Sequence, residues 1–473
     1  MNNKIIDINK KSFIKIIIML EVLVLFSIAL TYLIPSGKFG TTIDSLGNEI
    51  IDYTQYIKLD GQGGINIIKG IFAPVLVLFA GDGLSILMLC IFLLVIAGAF
   101  QIMNDTQGMN VIVKKIARKF HYNKKVLIAM ITLIFMCFGS FFGLFEEVLT
   151  LLPLVVMLTI SLGYDGFLGF LVCIVATGFG FASAITNPFT VITASNIIGV
   201  SPMTNVWFRI IVFIVMYGLL LVYIFRHMKA IDKNPEVSPT FVEDEKKRQN
   251  MPESQSLENE ARIFRSYLIF LLVVFVAIIT ITSIEALRSY TVVFLIAIFL
   301  IGGLLAGYIA SLNFSKTIKS FGKGVLAALP TIVLVLMASS IKYILDEGMV
   351  IATISNSISN LIKGQNSFVV ALIIYAIVLV LEFFISSSTA KAVFVMGILS
   401  LVNISLSSEL LVLLYLFGDG YTNVLFPTSP VLLIALSMVG MNYFTWIKKS
   451  KYLFLINTLL VIGLIALAII VGY

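Results

Sequence analysis

The stretch Gly178-Phe-Gly-Phe-Ala-Ser-Ala-Ile-Thr-Asn-Pro-Phe-Thr190 decides the fold, because it returns in altered form as Gly418-Asp-Gly-Tyr-Thr-Asn-Val-Leu-Phe-Pro-Thr-Ser-Pro430. Each copy lies in the middle of a long apolar run, 166–200 and 409–442. Hydrocarbon offers no water to freed backbone N–H and C=O groups, so irregular backbone survives there only inside protein or along a cavity. Both runs therefore read as broken helices. Gly178, Gly180 and Pro188 supply the first break, and Gly418, Gly420, Pro427 and Pro430 the second. Ordinary Pro/Gly kinks, with their hydroxyls bonded back to the helix, are the plainer alternative.

Upstream of each broken helix stands an apolar segment of 37 residues, 126–162 and 367–403. A crossing takes about 20 residues, so each segment is long for one crossing and short for two with a turn. Their midpoints hold Gly139, Ser140, Gly143, Glu146 and Glu147 in the first, and Ser386, Ser387, Ser388 and Thr389 in the second. Both read as re-entrant helical hairpins with polar tips; two full crossings each is the alternative. The spacing is shared, since Glu146 to Asn187 and Ser387 to Thr428 are both 41 positions.

Nine further segments qualify as crossings once the two broken helices are counted: 13–34, 84–104, 166–200, 205–226, 264–283, 290–310, 325–343, 409–442 and 453–472. The whole composition agrees. The 473 residues are 59% apolar and 12% charged, with a mean hydropathy of +1.07, whereas soluble domains are about 25% charged. A soluble enzyme, a secreted disulfide scaffold and a fibrous protein are excluded. The net charge of +7 does not point to nucleic acid, because the Lys and Arg sit in short loops where they set topology. Cys90, Cys137 and Cys173 lie in apolar runs without a CxxC pair, and His121 and His227 lie in polar loops, so no metal site is expected. The run from Ile16 to Ile34 is too long for a leader core and reads as a retained first span.

With the N-terminus inside, the cytoplasmic segments hold 24 Lys and Arg and the outer segments 5. That asymmetry places the N-terminus in the cytoplasm and the C-terminus outside. Residues 227–262, rich in both charges and carrying Pro235, Pro239 and Pro252, read as a solvated, poorly ordered cytoplasmic linker. It divides the chain into 1–226 and 263–473, each running span, amphipathic approach, span, hairpin, broken helix, final span. The span 264–283 is the odd element that inverts the second half. The expected fold is thus an all-α polytopic membrane protein with two inverted-topology repeats, about nine full spans and two hairpins.

A broken helix offers N–H groups with partial positive charge to a carboxylate and C=O groups to a cation. Ser183, Thr186, Asn187, Thr422, Asn423, Thr428 and Ser429 lie at that depth, with Ser387 at the second hairpin tip. A charge at mid-span costs about 2.5–3.5 kcal/mol or more, so Glu146, Glu147 and Asp419 each need a reason. They favour a cationic substrate, Na⁺ or H⁺. Adjacent residues cannot share a helix face, so one of Glu146 and Glu147 meets the substrate, while the other pairs with Lys391 or caps a half-helix. A structural salt bridge is the plainer role for these acids, and Glu382 with Lys391 reads as one. No ATP-hydrolysing motif or cofactor signature is present, so transport is driven by gradients or exchange.

These motifs carry a resemblance. Ser140-Phe-Phe-Gly-Leu-Phe-Glu-Glu147 with Pro153, Leu162-Gly-Tyr-Asp165, Gly178-Phe-Gly and Thr186-Asn-Pro188 resemble the YfcC family of bacterial carriers. So do Tyr32-Leu-Ile-Pro-Ser-Gly37 and Phe417-Gly-Asp-Gly-Tyr-Thr-Asn423 followed by Pro427-Thr-Ser429. The family is similar to DcuC-type C4-dicarboxylate carriers and to ArcD-type basic amino acid antiporters, within the ion-transporter superfamily. At the second tip, Ser386-Ser-Ser-Thr-Ala-Lys391 stands in place of a glycine-containing serine run. The resemblance implies an inner-membrane homodimer whose transport domains carry the hairpins and broken helices. A dicarboxylate carrier needs cationic or N–H-rich groups, whereas a carrier of arginine or ornithine needs acids. The acids favour arginine/ornithine-type exchange, with a Na⁺- or H⁺-coupled dicarboxylate carrier as the alternative.

Overall fold

A computed structural model describes residues 10–43, 49–59, 64–81, 83–119, 122–249, 259–288, 290–362, 365–385, 388–399 and 406–473. Helix α1 (Lys10–Leu33) leads into strands β1 (Gly37–Ile43) and β2 (Glu49–Lys58), then the short α2 (Ile67–Ile71) and α3 (Ala73–Leu76). There follow α4 (Gly83–Asp105), amphipathic α5 (Gly108–Lys119), α6 (Lys124–Cys137) and α7 (Leu152–Ser161). Next come α8 (Gly166–Phe170) and α9 (Ala176–Ala182), joined by a π-helical turn over Leu171–Val175, then α10 (Thr193–Ile198) and α11 (Val206–Lys233). Helices α12 (Phe241–Gln249), α13 (Glu260–Ser283) and α14 (Glu285–Arg288) connect to the second half. That half comprises α15 (Thr291–Ser311), α16 (Phe314–Glu347), amphipathic α17 (Ile351–Ile362), α18 (Ser367–Phe384), α19 (Ser388–Leu399), α20 (Ser408–Asp419), α21 (Pro430–Val439) and α22 (Tyr443–Ile470).

Helices of the two halves of the chain pack against one another. Helix α4 runs along α16; α1 packs on α16 as α15 packs on α4. Helix α10 meets α19 and α20, as α21 meets α7 and α8. Helix α11 lies on α6, and α22 on α18. The largest buried apolar cluster fills the space among these helices. Outward faces stay apolar, with Ile18, Val22, Leu25, Phe26, Val293, Phe294, Ile301 and Leu305 exposed. Water would not tolerate such continuous apolar faces, whereas lipid does. The chain is a nearly all-helical polytopic membrane protein.

Seven helical segments among the described residues are long and apolar enough to cross a bilayer. Five are expected spans, contained in α4, α11, α15, α16 and α22; the other two are the first limbs of the two hairpin segments, Lys124–Phe142 and Ser367–Phe384. The second limb of the first segment, α7, has 10 residues, and α19 of the second segment is described over Ser388–Leu399.

Two features depart from the sequence-based expectation. The segment after α1 forms an antiparallel β-hairpin, with Phe39 opposite Tyr56 and Ile43 opposite Glu49. It is fastened to the turn between α16 and α17: Gly37 N donates to Met349 O at 2.8 Å, and Ser36 Oγ to Gly348 O at 2.9 Å. The tyrosine at its far strand, Tyr56, shares a 2.8 Å hydroxyl bond with Thr353. The alternation of β-branched and polar residues in Gly37–Lys58 carries this signal, and apolar-run scanning does not register it.

The charged linker is ordered over its first part. Helix α11 continues to Lys233, and α12 docks on the start of α8. Asp244 Oδ2 accepts from Gly166 N at 2.9 Å and from Thr240 Oγ1 at 2.6 Å, while Arg248 Nη2 donates to Tyr164 O at 2.6 Å. His227 Nε2 lies 2.9 Å from Asp165 Oδ2, and Asp165 Oδ1 accepts from Leu168 N as the N-cap of α8. Composition reads this segment as solvent-facing because it cannot reveal that Asp244, 1% exposed, is needed by freed N–H groups at a helix start. Burial pushes the Asp244 carboxyl up to about 6, against the opposing pull of Lys247, Thr240 and the Gly166 N–H.

Candidate substrate site

The site is built where each hairpin segment meets its broken helix. In the first repeat, α6 runs into a π-helical turn over Phe138–Phe142 and ends at Gly143. Gly143 has φ +69°, and a Cβ there would stand 2.5 Å from Asn187 Oδ1. Backbone conformation and close approach both require glycine at this point. The chain then turns through Glu146 into a 3₁₀ turn, Glu147–Thr150, before α7.

The first tip grips the first break. Ser140 Oγ donates to Ser183 O at 2.9 Å and accepts from Ile185 N at 3.0 Å. Asn187 Nδ2 donates to Gly139 O at 2.9 Å, while its Oδ1 accepts from Phe189 N at 2.9 Å and Thr190 N at 3.3 Å. Asn187 is thus the N-cap of the half-helix that starts at Pro188, and ties that cap to the hairpin. Ser183 Oγ bonds back to Phe179 O at 2.7 Å, and Thr186 Oγ1 donates to Phe141 O at 3.2 Å.

The second break follows the same plan with different partners. Thr422 Oγ1 donates to Gly418 O at 2.6 Å, and Asn423 Nδ2 to Asp419 O at 2.7 Å. Ser429 caps α21, its Oγ accepting from Leu432 N at 3.4 Å; Thr428 beside it is buried. Carbonyls freed by the break are taken by α22: Trp446 Nε1 donates to Val424 O at 2.8 Å, and Tyr443 OH to Leu425 O at 2.9 Å. Ser387 lies outside the described residues.

The glycines correct the sequence reading. Gly178 and Gly180 are inside α9, Gly418 is inside α20, and the first interruption comes later, at Ser183–Asn187. Their role is close approach. A Cβ on Gly180 would lie 2.2 Å from Met136 O, and one on Gly139 2.2 Å from Thr177 O, where α6 crosses α9. One on Gly420 would lie 2.0 Å from Ala182 N, where the two broken helices touch. Small residues let helices in a membrane come this near.

The acids divide into two kinds. Asp419 is fully buried and already paired: Lys391 Nζ is 2.7 Å from its Oδ1, Ser388 Oγ donates to its Oδ2 at 3.0 Å, and Tyr415 OH donates to its Oδ1 at 3.3 Å. Lys391 also pairs with Glu382, the structural pair expected from sequence. Asp419 is therefore not a free carboxylate, and Lys391 is the partner of Asp419 rather than of Glu146 or Glu147. The pairing is invisible in sequence because the two charges lie 28 positions apart on different helices, α19 and α20.

Glu146 is half-buried and Glu147 is 7% exposed. Neither has an ion-pair partner among the described residues, and Glu147 Oε2 has no hydrogen-bond partner there. The buried hydroxyls of Thr150, three positions further on, and of Thr190 in the broken helix are likewise unpartnered among the described residues. Thr190, in the first turn after the break, is a residue that sequence reasoning passed over although it closes the deciding stretch. An unpaired buried carboxylate with spare hydroxyls can receive a cation.

The C4-dicarboxylate anaerobic carrier family, DcuC, matches residues 12–472. The chain is 26% identical over 400 residues to the Escherichia coli K12 protein named "Putative basic amino acid antiporter YfcC", covering 81% of this chain and 78% of that one. Among solved structures, the Alcanivorax borkumensis YdaH transporter aligns with TM-score 0.43 and 15% identity over 98% of both chains. Neisseria gonorrhoeae MtrF, described as illuminating a class of antimetabolite efflux pumps, aligns with TM-score 0.44 and 14% identity over 95% of this chain and 94% of that one.

Proposed function

For this chain, which belongs to the DcuC family and is a multi-pass membrane transporter rather than an enzyme, we propose exchange of basic amino acids of the arginine/ornithine type across the bacterial inner membrane. The observation that carries the proposal is the Glu146–Glu147 tip, two acids without ion-pair partners among the described residues, one with a buried oxygen left unbonded there. Such a carboxylate costs free energy in a dry site until a cation arrives. A guanidinium or ammonium side chain supplies that cation with several N–H donors. The substrate's own carboxylate would lie toward the half-helix starts at Pro188 and Pro430, where partial positive charge collects. The name of the Escherichia coli relative supports the same class.

In this mechanism the two halves are repeats of opposite topology, with the N-terminus cytoplasmic and the protein working as a homodimer. Alternating access moves the hairpins and broken helices together, because Ser140 and Asn187 bind one to the other in the first repeat and Asp419 does so in the second. The reciprocal packing of α10 on α19 and α21 on α7 links the two halves of that moving unit.

A second reading rests on the family description, which names C4-dicarboxylates. Glu146 and Glu147 would then hold the Na⁺ or H⁺ that accompanies the anion. Counterflow in proteoliposomes separates the two. Preloaded ornithine or arginine should drive uptake of labelled arginine, without response to membrane potential, because exchange of two monocations moves no net charge. Succinate or malate counterflow with no arginine exchange overturns the proposal in favour of the second reading.

A further inference from the structure

We propose that Lys391 is a built-in cation occupying a monovalent-ion site between the second hairpin segment and the second broken helix, so that this half of the transporter needs no bound Na⁺. The site is formed by three helices. Helix α18 contributes Glu382, α19 contributes Lys391 and Ser388, and α20 contributes Asp419 and Tyr415. The ammonium touches both carboxylates and lies 2.7 Å from Asp419 Oδ1. Ser388 Oγ and Tyr415 OH complete the shell around Asp419, and Tyr415 OH also donates to Ser388 O. Lys391 and Asp419 are fully buried, and Glu382 is 3% exposed.

Carboxylate, hydroxyl and carbonyl oxygens gathered around one positive charge are the kind of oxygen ligands a hard cation takes. Here the charge is covalently attached. Removing a fixed ammonium from such a shell leaves two buried carboxylates unpaired, a strongly destabilising state. The first half supplies the contrast. The spacing that relates Glu146 to Ser387 and Asn187 to Thr428 relates Thr150 to Lys391. Thr150 is buried, neutral and unpartnered among the described residues. One half thus carries its cation permanently, while the other presents open carboxylates at Glu146 and Glu147. A carrier so built uses the substrate's own charge in the open half and has no use for an alkali ion in the other.

The inference rests on the exchange proposal only in its transport arm, so it is tested first by stability. The purified full chain in detergent is melted in sodium chloride and in choline chloride at equal ionic strength. The wild type should melt at the same temperature in both. Lys391→Ala should melt several degrees lower in choline and be partly restored by ethylammonium or Na⁺, because either can enter the vacated position. Melting that rises with Na⁺ over choline and still does so when Glu146 and Glu147 are both changed to Gln overturns the proposal, as does K391A that neither ion restores. If K391A cannot be recovered, the salt comparison decides alone. In proteoliposomes, wild-type arginine counterflow should proceed at the same rate in both salts, and a Na⁺ requirement refutes the fixed-cation role. Absence of any amino acid counterflow, with Na⁺-insensitive melting and a rescued K391A, sinks the substrate assignment and leaves this proposal standing.

Discussion

Replacing Glu147 by Met should stabilise the substrate-free protein and weaken substrate binding, opposite signs from one change. Glu147 is 7% exposed, and its Oε2 has no partner among the described residues. An unsatisfied buried acceptor costs about 1–3 kcal/mol, more when charged, and methionine fills a similar volume without that cost. The melting temperature of Glu147→Met without substrate should therefore rise. A bound cation loses its buried counter-charge, which costs about 3–5 kcal/mol, or roughly 10²- to 10⁴-fold in Kd. Calorimetric titration with arginine and differential scanning of the purified protein measure both. A lower melting temperature with unchanged affinity would show that Glu147 is a structural partner, and the site would have to be moved. Glu146→Met sorts the pair, since only the residue facing the substrate should carry the full loss of affinity.

Gly143→Ala should slow exchange and lower stability: the left-handed backbone alone costs about 1–2 kcal/mol, and the new Cβ would press on Asn187 Oδ1, 2.5 Å away. Wild-type melting and exchange in this variant would refute the tip-to-break coupling. Docking of α12 should tighten in acid, because burial raises the Asp244 carboxyl from 3.8 to about 6. The docked form then binds the proton more strongly, so stability is full below the lower value and declines as pH rises through the upper one, by roughly 3 kcal/mol at most. Hydrogen exchange at α12 amides, corrected for intrinsic rate, should show greater protection at about pH 5 than at about pH 7, and Asp244→Asn should flatten the difference; equal slopes would sink the account. Single cysteines at Lys449 and Gln55 in a Cys-less background should label from the cytoplasm and from outside respectively, and the reverse pattern would invert the proposed topology.

Apolar run length made most of the helices legible. The five spans contained in α4, α11, α15, α16 and α22 follow from it because a membrane sets a minimum length that few loops imitate. The equal spacing of Glu146–Asn187 and Ser387–Thr428 is what suggests a repeated hairpin and break order in the sequence. What could not be read is which atoms meet. Gly178, Gly180 and Gly420 look like helix breakers, yet they serve places where Val424, Met136 and Ala182 of other segments come within contact. Asn187, Thr422, Asn423 and Ser429 read as ligands by depth and polarity, and each also bonds its own backbone neighbourhood, which sequence does not display. A freed N–H or C=O beside a short polar side chain is a nearer partner than any substrate. The same competition hid α12, where charge suggested solvent and the start of α8 claimed Asp244 instead.

The acids sharpen this point, because they carry the substrate argument. Glu146, Glu147 and Asp419 are equal in sequence, each an intramembrane charge that must be explained. Lys391, 28 residues from Asp419, removes one of them from the count by meeting it at 2.7 Å. The case for a cationic substrate therefore does not rest on an acid-lined cavity as a whole. It rests on the first tip alone, and on the difference between two halves that otherwise repeat one another. If both tips held open carboxylates, two cations would be called for, and coupling of substrate to Na⁺ would be the natural account. With Asp419 already paired from within the chain, the proposed exchange needs one mobile cation at the first tip, and a cycle that trades one basic amino acid for another would keep that tip filled at every crossing.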